Sequence, residues 1–291
     1  MDKKLFTRTN RIISIIVLAL SSIVYLSTIE PTASFWDCGE FIASSYKLEV
    51  GHPPGNPSFN IFARIFTLFT DKDHAAVAVN AMSALCSALT IFFLYLTIVH
   101  FGRRLNEKRG RMMTRGSAIG IFGAGVVGAL AYCFSDTFWF SAVEGEVYAM
   151  SSLFTAVVIW AALKWEEGYG QPYNNRWLVL ISFLMGISIG VHLLNLLAIP
   201  GIVFIIYYKM NKNKKLNFWR LLGVMAISGV ILGVILFGII PNVPKFLAFI
   251  DRLFVNGLGA PFNTGTALMM ILILTGCFFG LKVLRKKEKE L

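Results

Sequence analysis

The chain has 291 residues, of which 56% are hydrophobic and 14% aromatic, whereas 15% are charged. Soluble domains carry about 25% charged residues, and a soluble protein of this size could not cover so much apolar surface. The composition therefore excludes an ordinary soluble domain and predicts an all-α, polytopic membrane protein. The formal net charge of +11 could indicate a nucleic-acid partner, so the placement of the basic residues along the chain has to decide that question.

The first apolar run, residues 12–29, follows a basic segment that contains Lys3, Lys4, Arg8 and Arg11. A cleaved signal peptide begins in the same way. However, this run is long for the apolar part of a signal peptide, and only a weak cleavage site follows it. We therefore expect an uncleaved first transmembrane helix.

A polar and aromatic segment, residues 30–74, separates the first apolar run from the second. Within it, Asn56-Pro57 is typical of a helix N-cap followed by proline in the first turn. Apolar side chains then recur at helical spacing from Ser58 to Thr70, but this stretch is too short and too polar to span a bilayer. It predicts an interfacial helix in the first outer loop.

Further apolar runs make about eight candidate spans in total, which together predict a transmembrane helical bundle. After the first, the runs are 75–101, 117–134, 147–163, 177–191, 194–208, 221–240 and 266–284. The fifth and sixth of the eight are separated by so few residues that we predict a tight helical hairpin.

The basic residues orient this bundle. With the N-terminus inside, five of the 27 Lys and Arg residues fall in the outer segments: Lys47, Arg64, Lys72, Lys245 and Arg252. The positive-inside rule therefore predicts an even number of spans with both termini cytoplasmic. Because the positive charge is dispersed over short loops that flank the membrane, it does not indicate a nucleic-acid partner.

The topology also gathers the polar side chains that could carry chemistry on the outer face. They are Asp37, Glu40, His52, Arg64, Asp136, Glu144, Glu146, His192 and Asn195.

Two carboxylates, Asp37 and Glu40, are three residues apart and share a face if they lie on a helix. Their neighbours Phe35, Trp36 and Phe41 are aromatic, so we expect partial desolvation that raises the proton affinity of one carboxylate while the other stays ionised. This arrangement suits a general base that removes a proton from an acceptor hydroxyl. The alternative is that the pair caps a juxtamembrane helix and holds the loop by hydrogen bonds.

The segment His52–Gly55 is a stiff extended turn, because proline restricts its own φ and the residue before it. His52 could bind a phosphate or a sugar hydroxyl, or the turn could simply aim the interfacial helix. The outer cations, among them Arg64, could bind lipid headgroups, or one could bind the phosphate of a lipid-linked substrate.

Two later outer segments each contribute a pair of polar residues. Glu144 and Glu146 flank a glycine, and Tyr148 could stack on a sugar or anchor the chain in the membrane interface. His192 and Asn195 are three residues apart at the turn between the fifth and sixth runs. A histidine at a helix end is more often a structural hydrogen-bonding group than a ligand.

Several kinds of chemistry have no sequence support. No Walker loop, nucleophile elbow, zinc-protease motif or dinucleotide fingerprint occurs, and the four cysteines lack metal-ligand spacing. The apolar runs are nearly free of charge, although an ion-coupled transporter usually needs a charge at mid-membrane. The pattern favours chemistry at the outer membrane surface.

Four ordered motifs carry a resemblance to a known family. They are Trp36-Asp37-x-Gly39-Glu40, Gly51-His52-Pro53-Pro54-Gly55-x-Pro57, Glu144-x-Glu146-Val147-Tyr148 and Gly190-x-His192-x-x-Asn195. Over about residues 10–210 the chain resembles a bacterial family of polytopic membrane proteins that is related to the eukaryotic transmembrane O-mannosyltransferase of plexin receptors.

The resemblance implies a GT-C-like membrane glycosyltransferase. Such an enzyme would transfer a mannose-like sugar from a polyprenyl-phosphate donor to a hydroxyl of a protein or glycan, on the periplasmic side of the bacterial inner membrane. It implies that Asp37 is the catalytic base and Glu40 its partner. The substrate-binding residues would be His52, Arg64, Glu144, Glu146, Tyr148, His192 and Asn195. We expect no metal or other cofactor, with a divalent ion at the paired carboxylates left open.

The resemblance also divides the chain. Residues 1–210 would form the GT-C-like catalytic membrane module, and residues 211–291 would add transmembrane helices, with truncation from a longer parent left open. The partners would be the lipid-linked sugar, the acceptor and membrane lipids. Two other hypotheses remain: a flippase or exporter of lipid-linked glycans, and a scaffold protein of the cell envelope.

Overall fold

A computed structural model describes residues 1–212 and 217–290, and these residues contain helices and no strand. The α-helices are α1 (Lys3–Ser27), α2 (Cys38–Lys47), α3 (Pro57–Thr67), α4 (Ala75–Lys108), α5 (Arg115–Cys133), α6 (Asp136–Ala142), α7 (Val147–Glu167), α8 (Arg176–Ile189), α9 (Ala198–Met210), α10 (Phe218–Gly233), α11 (Ile240–Leu258) and α12 (Thr264–Glu290). The all-α class and the multi-helix architecture are confirmed. The predicted inner segment between the runs 194–208 and 221–240 lies partly outside the described residues, at 213–216.

Helical segments of spanning length account for seven of the eight predicted runs within the described residues. They are Lys3–Ser27, Lys72–Lys108, Arg115–Cys133, Val147–Glu167, Leu193–Met210, Phe218–Leu258 and Thr264–Arg285. The run 177–191 differs, because α8 has 14 residues. A helix of that length measures about 21 Å, whereas the hydrocarbon core is about 30 Å thick.

The connection between α8 and α9 is as short as the sequence predicts, but it is not a simple turn. His192 is extended, and Leu193–Leu197 forms one 3₁₀ segment that leads directly into α9. Gly190 comes just before it and lies against the start of α3, where a Cβ would collide with the Ser58 hydroxyl. This contact brings the motif at residues 190–195 next to the motif at residues 51–57.

The compact unit that carries the site consists of Met1–Lys164 and Leu178–Ala198. Helix α4 lies at its centre and packs against α1, α5 and the α2–α3 pair. The Tyr25 hydroxyl donates a hydrogen bond of 2.8 Å to the Cys133 carbonyl and thereby ties α1 to α5. An apolar cluster, which includes Phe41, Phe59 and Val79, joins α2 and α3 to α4.

Helix α3 is the predicted interfacial helix, and its boundaries follow the sequence signals with one difference. Pro57 occupies its first turn and Asn56 the N-cap position, but the Asn56 side chain makes no capping hydrogen bond. Phe59 and Ala63 are buried in the protein, whereas the opposite face exposes Ile61 and other apolar side chains. An apolar exposed face on so short a helix fits a position at the membrane surface.

The other unit consists of Trp165–Trp177 and the described residues from Ile199 onward. Its longest segment, Phe218–Leu258, continues from α10 through a π-helical stretch into α11. These 41 residues measure about 60 Å, twice the thickness of a bilayer core, so only part of the segment can span. Asp251 accepts backbone hydrogen bonds from Gly265 and Thr266 and thereby caps the start of α12. The module boundary at residue 210 stays a prediction.

Candidate functional site

Three side chains meet at the N-terminus of α2, and we call them the Asp37 cluster: Asp37, Glu40 and His52. Asp37 is the N-cap residue of α2 and Glu40 lies in its first turn. The helix ends at Leu48, which adopts the left-handed conformation with φ of 55° and turns the chain back. The returning segment carries His52 over the first turn of the helix that it has just left.

The hydrogen bonds of His52 define the geometry of the cluster. Its backbone N–H donates to Glu40 Oε1 at 2.6 Å, and its Nδ1 lies 3.1 Å from Glu40 Oε2. Its Nε2 lies 4.0 Å from Asp37 Oδ2. Because Nδ1 faces a carboxylate, that nitrogen carries a proton, and His52 bridges the two acidic residues.

His52 determines the protonation of Glu40. The two hydrogen bonds from His52 lower the pKa of Glu40, and the hydrogen bond to Glu40 raises the pKa of His52. Glu40 therefore matches the member of the predicted pair that stays ionised. Phe35 and Trp36 are 82% and 90% exposed, so they do not shield the carboxylates from water.

Two other carboxyl groups, those of Glu144 and Glu146, have a raised proton affinity. Both residues are buried, and the Cys38 thiol lies 3.8 Å from Glu146 Oε1. Burial is the main cause that raises the pKa of Glu144. For Glu146, burial and then the charges of Glu144 and Asp37 raise the pKa from 4.5 to about 7, against a hydrogen bond from the Val147 N–H that lowers it.

Replacing Glu146 with glutamine tests this burial. The pKa of Glu146 is 4.5 ordinarily and about 7 in the folded chain, so its contribution to stability is full below pH 4.5 and is lost as the pH rises through 7. Glutamine does not ionise. We therefore expect the melting temperature of Glu146→Gln, relative to wild type, to increase between pH 5 and pH 8. The exposed control Glu49→Gln should show a constant difference, and a constant difference for Glu146→Gln as well would contradict the burial of an ionisable group.

Gly145 allows the loop that contains Glu144 and Glu146 to lie against α4. A Cβ at this position would lie 2.9 Å from Asn80 Oδ1 and 3.0 Å from Val79 Cγ1. The Asn80 amide cannot move aside easily, because its Nδ2 donates to the carbonyls of Glu30 and Thr32 at 2.6 and 3.1 Å. Asn80 thus joins α4 to the loop that precedes the Asp37 cluster.

Replacing Gly145 with alanine is expected to lower the free energy of unfolding by about 1–3 kcal/mol, the usual cost of overpacking. Chemical denaturation in detergent would measure the change. Gly123→Ala is the matched control, since a Cβ on Gly123 in α5 has no neighbour within 4 Å, and alanine favours a helix. Equal effects of the two substitutions would show that the loop is not packed as described.

The buried side-chain amide of Asn60 connects α2, α3 and the turn between them. The sequence did not predict this role. Asn60 Oδ1 accepts hydrogen bonds from Ser44 Oγ at 3.3 Å, Ser45 Oγ at 3.1 Å and Asn56 Nδ2 at 3.1 Å. Asn60 Nδ2 donates to the Glu49 carbonyl at 3.1 Å. The available signal was an asparagine that interrupts the apolar pattern of a short amphipathic helix.

The fourth motif reaches the same region through backbone contacts. The Gly190 carbonyl accepts hydrogen bonds from the N–H groups of Ser58 at 2.8 Å and Phe59 at 3.4 Å, at the start of α3. His192 then packs against Tyr148 with 5.4 Å between ring centroids. Burial lowers the pKa of His192, and its Nδ1 accepts the Leu194 N–H.

Asn195 occupies a different position from the one expected of a substrate ligand. It is fully buried. Its Oδ1 accepts the Thr155 hydroxyl at 2.8 Å, and its Nδ2 donates to Ser188 Oγ at 2.5 Å and contacts Met185 Sδ at 3.4 Å. These bonds occupy the amide, so we interpret Asn195 as a residue that joins α7 and α8 and positions His192.

Arg64 also makes structural contacts. Its guanidinium lies 5.1 Å from the centroid of the Tyr46 ring and donates to Thr67 Oγ1 at 3.2 Å. Among the described contacts, none joins Arg64 to the Asp37 cluster. A phosphate-binding role for Arg64 stays a prediction that its position does not favour.

A cavity of 340 Å³ opens beside Tyr148 and Leu194 and follows α7 as far as Ile159. That distance is about 16 Å along the helix, and the volume lies in the range of about 300–1,000 Å³ that is usual for ligand sites. Its lining combines apolar side chains with the hydroxyl groups of Thr90, Thr97, Tyr132, Tyr148, Ser151, Ser152 and Thr155. The sequence reading did not predict the cavity.

Two of these hydroxyls already have partners inside their own helices. Thr90 donates to the Cys86 carbonyl, and Thr155 shares its single proton between the Ser151 carbonyl and Asn195 Oδ1, so neither needs a polar group of a ligand. The cavity is therefore suited to an apolar ligand more than its hydroxyl content suggests.

Comparisons with known proteins agree with the motifs. A family model, the protein O-mannosyl-transferase TMEM260 N-terminal domain, matches residues 37–216. The protein O-mannosyl-transferase tmem260 of Dictyostelium discoideum is 25% identical over 206 residues, which are 66% of this chain and 23% of the relative. The mouse protein O-mannosyl-transferase TMEM260 is 25% identical over 209 residues, 72% of this chain and 27% of the relative.

The chain thus spans about a quarter of the length of the curated relatives that it matches. No solved structure matches it. The matched segment begins at Asp37 and contains the whole Asp37 cluster, both buried glutamates and the His192 turn. Because the family model covers more than half of the residues, the chain belongs to the family of the protein O-mannosyl-transferase TMEM260 N-terminal domain.

Proposed function

We propose that this chain is the membrane-embedded catalytic module of a glycosyltransferase. It transfers mannose from a polyprenyl-phosphate donor to a hydroxyl group of a protein at the outer face of the membrane. The observation that carries the proposal is the accessible Asp37 carboxylate, which is 57% exposed and lies beside the His52–Glu40 pair. The names of the relatives, which are protein O-mannosyl-transferases, support the sugar and the acceptor class.

In the proposed reaction Asp37 acts as the general base. The acceptor oxygen forms a bond to the anomeric carbon while the bond from that carbon to the phosphate oxygen breaks and leaves its electron pair on the phosphate. The acceptor proton passes to Asp37. Glu40 holds His52 through its two oxygens and raises its pKa, and a protonated His52 beside the reacting groups would favour the departing phosphate.

The lipid-linked form of the donor is supported by the cavity beside Tyr148. It begins near the His192 turn and follows α7 toward the membrane interior, and its lining is largely apolar. A polyprenyl chain has no hydrogen-bonding groups, so it suits a lining in which the hydroxyls of Thr90 and Thr155 are already paired.

The orientation is proposed from the charges. The N-terminal amine donates a hydrogen bond to the Met113 carbonyl, so the basic start of α1 lies beside the basic loop between α4 and α5. This clustering of cationic segments at one end supports a cytoplasmic N-terminus. In a bacterial inner membrane, the Asp37 cluster would then face the periplasm.

The proposal can be tested with the purified full chain in nanodiscs. We expect labelled mannose to pass from polyprenyl-phosphate mannose to a serine- and threonine-rich acceptor peptide, and no label to pass from GDP-mannose. In parallel, glycan mass spectrometry of envelope proteins from a deletion strain should show loss of O-linked hexose that the wild-type gene restores. Transfer from GDP-mannose would refute the donor, and translocation of a lipid-linked sugar without transfer would support the exporter hypothesis.

A further inference from the structure

We propose that the Asp37 cluster, together with Asn56, forms a binding site for one divalent cation of the Mn²⁺ type. The proposal departs from the sequence expectation of no metal. The role of the ion in catalysis rests on the proposed function, but its binding does not. Three separate observations support it: ligand spacing, an unpaired buried oxygen and uncompensated negative charge.

The ligand spacing is suitable for one ion. One ligand atom from each of Asp37, Glu40 and His52 lies within 4.8 Å of the others. Two ligands on opposite sides of one octahedral ion are about 4.2–4.4 Å apart when each bond is about 2.1–2.2 Å. Small side-chain rotations therefore suffice to bring all three atoms onto one ion.

The unpaired oxygen belongs to Asn56, which is 5% exposed and whose Oδ1 has no hydrogen-bond partner. Its orientation is determined by its other amide atom, because Nδ2 must donate to Asn60 Oδ1, which only accepts. A buried amide oxygen without a hydrogen-bond partner raises the free energy of the folded chain, so a ligand bound to this oxygen would stabilise the fold.

Asn56 Oδ1 and Glu40 Oε1 converge on one place beside Gly51. A Cβ on Gly51 would lie 3.1 Å from Asn56 Oδ1 and 2.9 Å from Glu40 Oε1. The glycine therefore leaves a small space that is bordered by an amide oxygen and a carboxylate oxygen. Both are common ligands of divalent cations.

The charges around the cluster favour a cation. Two carboxyl groups, those of Asp37 and Glu40, face the single imidazole of His52. Two cations of the same loop are engaged elsewhere: Lys47 pairs with Glu49 at 3.7 Å, and Arg64 stacks on Tyr46. The site thus has an excess of negative charge that one divalent ion would balance.

The mixture of carboxylate, amide and imidazole ligands favours Mn²⁺ over Ca²⁺, which prefers an all-oxygen shell. The ion would replace the proton that His52 shares with Glu40. It would thereby increase the positive charge beside the departing phosphate, and the second oxygen of Asp37 would remain available to the acceptor hydroxyl.

Mn²⁺ titration of the full chain in nanodiscs, followed by electron paramagnetic resonance, tests the site without any activity. We expect one Mn²⁺ per chain and an affinity at least tenfold lower in Glu40→Gln and in His52→Ala. Asn56→Asp should bind more tightly than wild type, because it replaces a neutral ligand by a charged one. Glu49→Gln is the control, since it removes an exposed charge from the same loop.

Absence of stoichiometric binding would overturn the proposal, and so would an equal loss of affinity in Glu49→Gln, which would indicate surface charge alone. Melting curves without metal would identify any variant that is misfolded, and the tighter binding of Asn56→Asp does not depend on loss of structure. Transfer that persists after chelation, without Mn²⁺ binding, would refute the ion and leave the proposed function intact. Bound Mn²⁺ without transfer would refute the proposed function and leave the ion site intact.

Discussion

Replacing Asp37 with asparagine is expected to lower the rate of mannose transfer by about 10²- to 10⁴-fold, the range that general-base catalysis contributes. Asparagine keeps the shape of the side chain but cannot accept the acceptor proton. Because Asp37 is largely exposed and its side chain makes no capping hydrogen bond to α2, we expect the variant to insert and accumulate normally. Transfer of label from polyprenyl-phosphate mannose would measure the rate, and the melting temperature would verify the fold.

The matched control is Asp73→Asn, which makes the same chemical change at an exposed position just before α4. Its transfer rate should equal that of wild type. If Asp37→Asn were to retain the wild-type rate, Asp37 would not be the base. If both variants lost activity to the same degree, the effect would come from the loss of surface charge and not from proton transfer.

The largest expected loss of stability follows from Asn60→Ala. This change removes the acceptor of three hydrogen bonds and the donor to the Glu49 carbonyl. Each buried polar group left without a partner costs about 1–3 kcal/mol. Since Ser44 has a second acceptor in the Phe41 carbonyl and some groups can reach water, we expect a total decrease in the free energy of unfolding of about 3 kcal/mol.

Chemical denaturation in detergent would measure this decrease. Asn106→Ala is a suitable comparison, because the Asn106 side chain makes one exposed hydrogen bond, to the Arg111 carbonyl. Its expected cost is below about 1 kcal/mol. A similar small cost for Asn60→Ala would mean that the amide does not hold α2 and α3 together, and the geometry of the Asp37 cluster would then need another explanation.

The helices and their approximate ends were accessible to sequence reasoning because their signals are local. Apolar runs long enough to span predict helices whatever surrounds them, and Pro57 marks the start of α3 because proline suits the first helical turn. The exception was α8. Its apolar run continues past Ile189, but the contact of Gly190 with the start of α3 and the extended His192 end the helix there.

The burial of individual polar groups could not be derived in the same way. Aromatic neighbours suggested that Asp37 and Glu40 are desolvated, yet Phe35 and Trp36 point away into solvent. Glu146 is desolvated because Cys38, 108 residues earlier, packs against it, and Asn80 holds the loop at Glu30 across 50 residues. Apolar periodicity is a property of consecutive residues, so it specified the apolar helices and the loops between them. Desolvation depends on which distant segments come into contact. For that reason the raised proton affinity of Glu146 and the buried hydrogen bonds of Asn60 could be identified only from the packing of those loops.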